Sequence, residues 1–150
     1  MTAGTVVIVG GTQGLGRRLA ERLAADDHQV VLTGRDAARA QSVASEIGPN
    51  TRGCALDLSQ PHDIGGCLTG IENIDHVVLA AVERDSNSVR DYDVARAIRL
   101  ATLKRGGDTD GRHALHHALH DRSSVLLYGG LAKDRPYPGS TTVTSVNGAV

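Results

Sequence analysis

The chain has no tryptophan, no phenylalanine and only three tyrosines in 150 residues. Without aromatic bulk, its core must be built from valine, leucine, isoleucine and alanine. A charge imbalance is also missing: 16 Lys and Arg face 17 Asp and Glu, which leaves −1. That removes the electrostatic case for non-specific nucleic-acid binding. No stretch approaches the ~18 consecutive apolar residues of a membrane span. The opening MTAGTVVIVGG lacks the basic start and long apolar run of an export signal. Cysteine is scarce. Cys54 and Cys67 stand 13 apart and form neither a CxxC pair nor a zinc spacing. In a chain without an export signal they read as two reduced thiols, and the protein as cytoplasmic. Glycine, by contrast, is abundant, at 18 residues. The length suits one domain of ordinary size.

Short apolar runs alternate with longer amphipathic ones. Val6-Val7-Ile8-Val9 is β-branched throughout and closed by Gly10-Gly11, as suits a strand buried on both faces. Leu15, Leu19 and Leu23 then recur every four residues, with Arg17, Arg18, Glu21 and Arg22 between them, which predicts a helix with a leucine face. A second strand is expected over 29–33. Asp36 offers the cap of a helix facing inward through Ala40, Val43, Ala44 and Ile47, stopped by Gly48-Pro49. A third strand is expected over 53–58, followed by a weak helix after Ser59 and Pro61 that Gly65-Gly66 disfavours. The fourth strand is expected over 76–80. A helix over 89–103 comes next, interrupted at Arg105–Gly111 (RGGDTDG), with a second helical piece over 112–120 and a fifth strand over 124–128. The remainder reads as a loop and the start of a helix. This repetition implies an α/β fold: a doubly wound parallel sheet of five strands, Rossmann-like, with ligands at the carboxyl ends of the strands.

The strongest local signal is Gly10-Gly11-Thr12-Gln13-Gly14-Leu15-Gly16, directly between a strand and a helix. Glycines there allow a tight turn and a close approach to a pyrophosphate, which the helix N-terminus then attracts. The spacing is not G-x-G-x-x-G, and no Lys-Ser or Lys-Thr follows to make a Walker loop. The motif resembles the TGxxxGxG of short-chain dehydrogenases/reductases, with Val9 in place of the threonine and Gly10, Gly14 and Gly16 on its glycines. Three further places agree. Arg35 falls where NADP-preferring members carry a basic residue, and a guanidinium there can hold a 2′-phosphate in a bidentate pair. Asp57 matches the acidic residue beside the adenine ring. The strand over 76–81 matches the one that ends in Asn-Asn-Ala-Gly.

The resemblance implies strand order 3-2-1-4-5 and a cofactor site of Gly10, Thr12, Gln13, Gly14, Leu15, Gly16, Arg35, Asp57, Leu58, Ala80 and Ala81. NADP(H) is the preferred cofactor, with NAD(H) as the alternative. The family's catalytic residues are absent. Aligning Asn147-Gly148-Ala149-Val150 with Lys-Ala-Ala-Val puts Val143 at the tyrosine position and Asn147 at the lysine position. The serine position falls near Gly129-Gly130. Lys133 and Tyr137 are the nearby candidates, in reversed order in a loop bounded by Pro136 and Pro138. The resemblance also implies that the chain is one dinucleotide-binding domain, 1–150, forming the first part of a longer one. Its fifth strand would then be an exposed edge that favours association.

His113, His116, His117 and His120 would share a helical stripe, but no carboxylate or cysteine completes a metal set at motif spacing. Asp108-Thr109-Asp110-Gly111 begins like an EF-hand loop, yet Leu119 stands where its glutamate belongs. No metal is expected. The expected partners are a small-molecule substrate if the chain is active and a second copy of the chain, with no nucleic acid and no membrane. Two functions stay open: an NAD(P)(H)-dependent oxidoreductase acting on a carbonyl or alcohol, and a non-catalytic nucleotide-binding or regulatory module.

Overall fold

A computed structural model of the chain describes residues 4–60 and 64–149. Its centre is a five-stranded sheet in the order β3-β2-β1-β4-β5. The strands are β1 Thr5–Val9, β2 Gln29–Gly34, β3 Thr51–Ala55, β4 Ile74–Leu79 and β5 Leu119–Leu127. Every neighbouring pair is parallel. The expected fold class and strand order are therefore those observed.

Alternate residues of the strands feed two apolar layers. On one face Val6, Ile8, Val30 and Leu32 pack beneath α1 (Gly14–Ala25) and α2 (Ala37–Ile47). On the other, Val7, Val9, Val77 and Leu79 pack with Leu56, Leu58, Leu68 and Leu115. That layer is covered by α3 (Ile64–Leu68), Leu103 and α5 (Asp108–Leu115), with α4 (Val94–Ala101) leading into it. Val6, Ile8, Leu32 and Leu79 are fully enclosed, each worth roughly 1.5–3 kcal/mol relative to exposure. A last helix, α6 (Thr141–Asn147), packs against α4.

Several sequence expectations are corrected. The inward face of helix α1 is only partly its leucines: Gly16, Ala20 and Ala24 are buried, Leu19 and Leu23 pack half-buried against the core, and Leu15 is 69% exposed. At its first turn the helix lies so close to the end of β1 that a Cβ on Gly16 would not fit. The third strand ends at Ala55, short of the expected 58, and α4 begins at Val94, not near 89. Asp93 sets that start, its carboxylate accepting from the Arg96 amide at 3.0 Å. Asp36 caps α2 as expected, accepting from the Arg39 amide at 2.6 Å.

The expected interruption at 105–111 is not a break. Residues Thr102–Gly107 form a π-helical turn that joins α4 to α5 in one continuous run. Its second glycine serves packing, since a Cβ on Gly107 would lie 2.4 Å from the Leu58 carbonyl oxygen. The helical run ends at Leu115, followed by a short 3₁₀ turn at His116–Ala118 and then by β5, which starts five residues before the expected 124. His120 is thus on a strand, and the helical histidine stripe does not form. Among the described residues no group of three or more His, Cys, Asp or Glu gathers as a metal set. Helix α3 covers only Ile64–Leu68; Pro61, expected to precede it, lies outside the described residues.

The two cysteines are likewise corrected. Cys54 on β3 and Cys67 on α3 are paired as a disulfide, with Cα atoms 5.8 Å apart, inside the usual span for such a bridge. Helix α3 folds back over β3, which turns a separation of 13 residues into a contact. Among the described residues no helix is long and apolar enough to cross a membrane.

The two neighbouring glycines of the π turn should respond oppositely to alanine. Gly107→Ala forces a methyl onto the Leu58 backbone and should destabilise the fold by about 1–3 kcal/mol. Gly106→Ala meets nothing closer than Thr102 Cγ2 at 4.0 Å and should leave stability equal or raised by up to about 1 kcal/mol. Urea denaturation of the two variants beside the parent measures both signs.

Candidate functional site

The register of the sheet aligns the strand ends. Val9 sits opposite Thr33 and Leu79, Thr33 opposite Cys54, and Leu79 opposite Leu127. The residues just past these positions therefore form one row: Gly10, Gly34-Arg35, Leu56-Asp57, Ala80-Ala81 and Tyr128. Five of the eleven sequence-predicted cofactor residues fall on it: Gly10, Arg35, Asp57, Ala80 and Ala81.

At its centre is the glycine loop. Gly10 has φ 87°, and a Cβ there would lie 2.7 Å from the Ala81 backbone. The Gly10 turn therefore presses against the end of β4. A Cβ on Gly16 would lie 2.3 Å from the Gly10 carbonyl oxygen, so this glycine seats α1 on the end of β1. Gly14 differs: its φ is 58°, and nothing lies within 4 Å of where its Cβ would be. Open space there leaves room for a group outside the chain. Gln13, the residue preceding α1, makes no side-chain capping bond, and no acidic residue stands in the first turn. The amino end of this helix is thus left with amide donors and a positive dipole end for an acceptor from elsewhere. Thr12 packs on Gly34, and Gln13 accepts from Arg39 Nη2 at 3.2 Å. Leu15 is exposed beside the loop. Leu58 is 2% exposed and belongs to the core, so its side chain faces away from the row.

Across the row runs a chain of four charges. Arg35 reaches Glu83 at 3.7 Å. Arg99 Nε, from α4, donates to both Glu83 oxygens at 3.1 and 3.0 Å. Arg99 Nη2 donates to Asp57 Oδ2 at 3.1 Å, and its Nη1 donates to Ser59 Oγ. Asp57 Oδ1 accepts from the Ser59 amide and hydroxyl at 2.9 and 2.7 Å. Burial pushes the Asp57 carboxyl upward, but Ser59 and Arg99 outweigh it and hold the group below its ordinary value. Glu83 and Arg99 were not singled out from the sequence. Each is remote from Asp57 along the chain, and only the folding of α4 over the strand ends brings the three together.

A second polar site lies under the ends of β4 and β5. Lys104, on the π turn, is 5% exposed. Its ammonium donates to the Tyr128 and Ala81 carbonyls at 3.0 and 3.5 Å and stands 3.7 Å from the Asp108 carboxylate. Burial raises the Asp108 pKa, opposed by Lys104 and Arg112. Nothing in the periodicity of the sequence marks Lys104 as buried.

Of the positions that correspond to catalytic Ser, Tyr and Lys by resemblance, the first and last meet. Asn147 is buried and its Oδ1 accepts from the Gly130 amide at 3.0 Å. Val143 is one turn before it on α6. None of the three carries an acid or a base. Lys133 and Tyr137 are exposed on the connection between β5 and α6, and among the described residues no hydrogen bond joins their side chains. A buried Asn87 ties the β4–α4 loop to α6, donating to Thr142 Oγ1 at 3.2 Å and accepting from the Asp93 amide at 2.7 Å. A cavity of about 480 Å³ lined by Glu21, Asp27, Gln29 and Asn50 lies at the opposite, amino end of the strands. Another, of about 280 Å³, lies between α4 and α6.

The family model for short chain dehydrogenases matches residues 4–99. A 3-oxoacyl-[acyl-carrier-protein] reductase of Bos taurus is 23% identical over 149 residues, covering 95% of this chain and 63% of the relative. A serine 3-dehydrogenase of Rhizobium radiobacter is 32% identical over 69 residues, 46% of this chain and 28% of the relative. Among solved structures, a short chain dehydrogenase/reductase family protein superimposes with a TM-score of 0.91 at 27% identity, covering 99% of this chain and 65% of the other. A short chain dehydrogenase of Escherichia coli CFT073, solved with NADPH, shares the fold at TM-score 0.88 and 18% identity, over 99% of this chain and 68% of its own. The chain spans less than two thirds of the length of these curated relatives.

The Lys104–Asp108 pair generates a stability prediction with a defined pH sense. Lys104→Met leaves a buried carboxylate unpaired and should cost roughly 3 kcal/mol at neutral pH. A carboxyl whose pKa is raised by folding favours the fold below its unfolded pKa and loses that contribution as pH rises through the folded value. The deficit of Lys104→Met should therefore be smallest near pH 4 and grow toward neutrality. Adding Asp108→Asn should remove most of this pH dependence, as read from denaturation midpoints between pH 4 and 8.

Proposed function

Because the chain belongs to the short chain dehydrogenase family, we propose that the row of strand ends binds a nicotinamide dinucleotide, NADP(H) ahead of NAD(H). The observation that carries the reading is the amino end of α1. It has no side-chain cap and no acidic residue in its first turn, and it stands beside Gly14, where a Cβ would meet open space. In this reading the first-turn amides of α1 take the pyrophosphate. Arg35 takes a 2′-phosphate, and Asp57 stands beside the adenine, with Gly10, Thr12, Gln13, Leu15, Gly16, Ala80, Ala81 and the Leu58 backbone framing the groove. The cofactor would supply or accept a hydride.

The activity proposed for the whole protein is oxidoreduction between a carbonyl and an alcohol, in the cytoplasm, with a homo-oligomer as the assembly. The 1–150 segment acts as its dinucleotide-binding domain. A second reading is a nucleotide-binding or regulatory module without catalysis, and a specific observation favours it for this chain. Val143 and Asn147 occupy the positions of the family's tyrosine and lysine, and Asn147 spends its oxygen on the Gly130 amide at 3.0 Å. An alkoxide formed by hydride transfer would find no proton donor there.

Two measurements test these readings. In the first, NADPH and NADH are titrated by fluorescence into the parent chain, Gly14→Val and Arg35→Ala. Gly14→Val should abolish binding of both, because its side chain fills the open space, while much of the fold stays intact by circular dichroism despite the strain of a side chain at φ 58°. Arg35→Ala should weaken NADPH alone, by about 1.5–3 kcal/mol. Equal NADPH affinity in parent and Arg35→Ala removes the arginine from the assignment.

The second follows NADPH absorbance over a panel of ketones, aldehydes and quinones. General acid help is typically worth 10²–10⁴-fold, and this chain should show no appreciable turnover without it. Turnover that vanishes in Tyr137→Phe would instead make Tyr137 the acid.

A further inference from the structure

The four-charge chain across the strand ends has a consequence for cofactor choice, and the argument rests on the dinucleotide reading above. The order is Arg35, Glu83, Arg99, Asp57, with alternating sign and no net charge. Glu83 is held from two sides. Arg99 Nε bonds both its oxygens at 3.1 and 3.0 Å, and Arg35 Nη1 lies 3.7 Å from Oε2. Arg99 is itself fixed by Asp57 at 3.1 Å. The exposed end of the chain is Arg35, whose side chain is 65% accessible, whereas those of Glu83 and Arg99 are 31% and 32% accessible. Among the described residues Glu83 is the carboxylate paired with Arg35; the neighbouring Asp36 caps α2 instead.

We infer that Glu83 is a specificity-determining residue, one that sets how strongly this site prefers a 2′-phosphate over a 2′-hydroxyl. A 2′-phosphate adds about −1.5 to −2 charges and must win Arg35 away from a carboxylate that Arg99 keeps in place. Once bound, it remains near that carboxylate and is repelled by it. A 2′-hydroxyl meets neither penalty, because it is neutral and can donate a hydrogen bond to the same oxygens. Both effects act in one direction. Arg35 provides the attraction for the phosphate, and Glu83 limits it.

The test compares NADPH and NADH, which differ only in the 2′-phosphate, by fluorescence titration. Glu83→Gln and Glu83→Ala are read side by side with the parent, so the result does not depend on one variant folding. The expected result is a rise in the ratio of NADPH to NADH affinity on the order of tenfold in both variants. In an Arg35→Ala background the same replacements should raise the ratio less, since only the repulsion remains to be relieved. A ratio that stays at the parent value, or that moves toward NADH, overturns the role of Glu83 while leaving the dinucleotide reading in place. If the parent chain binds neither nucleotide, the dinucleotide reading fails and the inference falls with it.

Discussion

The arrangement at the carboxyl end of the sheet depends on how closely α1 can approach the end of β1. A Cβ on Gly16 would lie 2.3 Å from the Gly10 carbonyl oxygen, and one on Gly10 would lie 2.7 Å from the Ala81 backbone. Three backbone segments are therefore in contact with no side chain between them. The first turn of α1 is brought directly over the strand ends, and the loop after β4 is drawn against it. The buried face of α1 follows from the same approach: alanines and a glycine lie beneath, and Leu15 is displaced into solvent. A larger residue at position 16 would lift the helix and remove its dipole end from the row.

The parts of the fold that were legible in the sequence are those set by short-range rules. Val6 to Val9 is β-branched and uninterrupted, and such a run has few alternatives to a strand enclosed on both faces. Asp36 stands immediately before a periodic segment and caps it, because the bond closes within three residues. The glycine loop announced itself through spacing between strand and helix. The strand order followed from the family resemblance, not from periodicity.

What was not legible depends on contacts between remote segments. RGGDTDG reads as a break because glycine and aspartate favour turns when isolated. In the fold, Gly107 is required by the Leu58 backbone, and Asp108 is paired with Lys104, so the helix runs on. Leu15 reads as part of an inward face with Leu19 and Leu23, yet it alone is exposed, because periodicity cannot report where the helix extends past the sheet. Cys54 and Cys67 read as separate thiols because nothing local shows α3 returning over β3. Glu83 and Arg99 carry no motif at all, and their role exists only where four elements meet.

The molecule also separates two kinds of polar arrangement. Over the outer part of the row, Arg35, Glu83, Arg99 and Asp57 form one chain of ion pairs whose side chains remain partly accessible. Under β4 and β5 the polar groups are enclosed, and each is committed to the fold. Lys104 is held by two backbone carbonyls, and Asn147 holds the Gly130 amide. A side chain committed in this way cannot give up a proton without leaving a buried group unpaired. Where the resemblance places proton chemistry, Asn147 is committed to the Gly130 amide, whereas the amino end of α1 keeps uncapped amides beside the open space at Gly14. Under the proposed reading, nucleotide binding and proton transfer make separate demands on the structure, and the uncapped end of α1 answers the first alone.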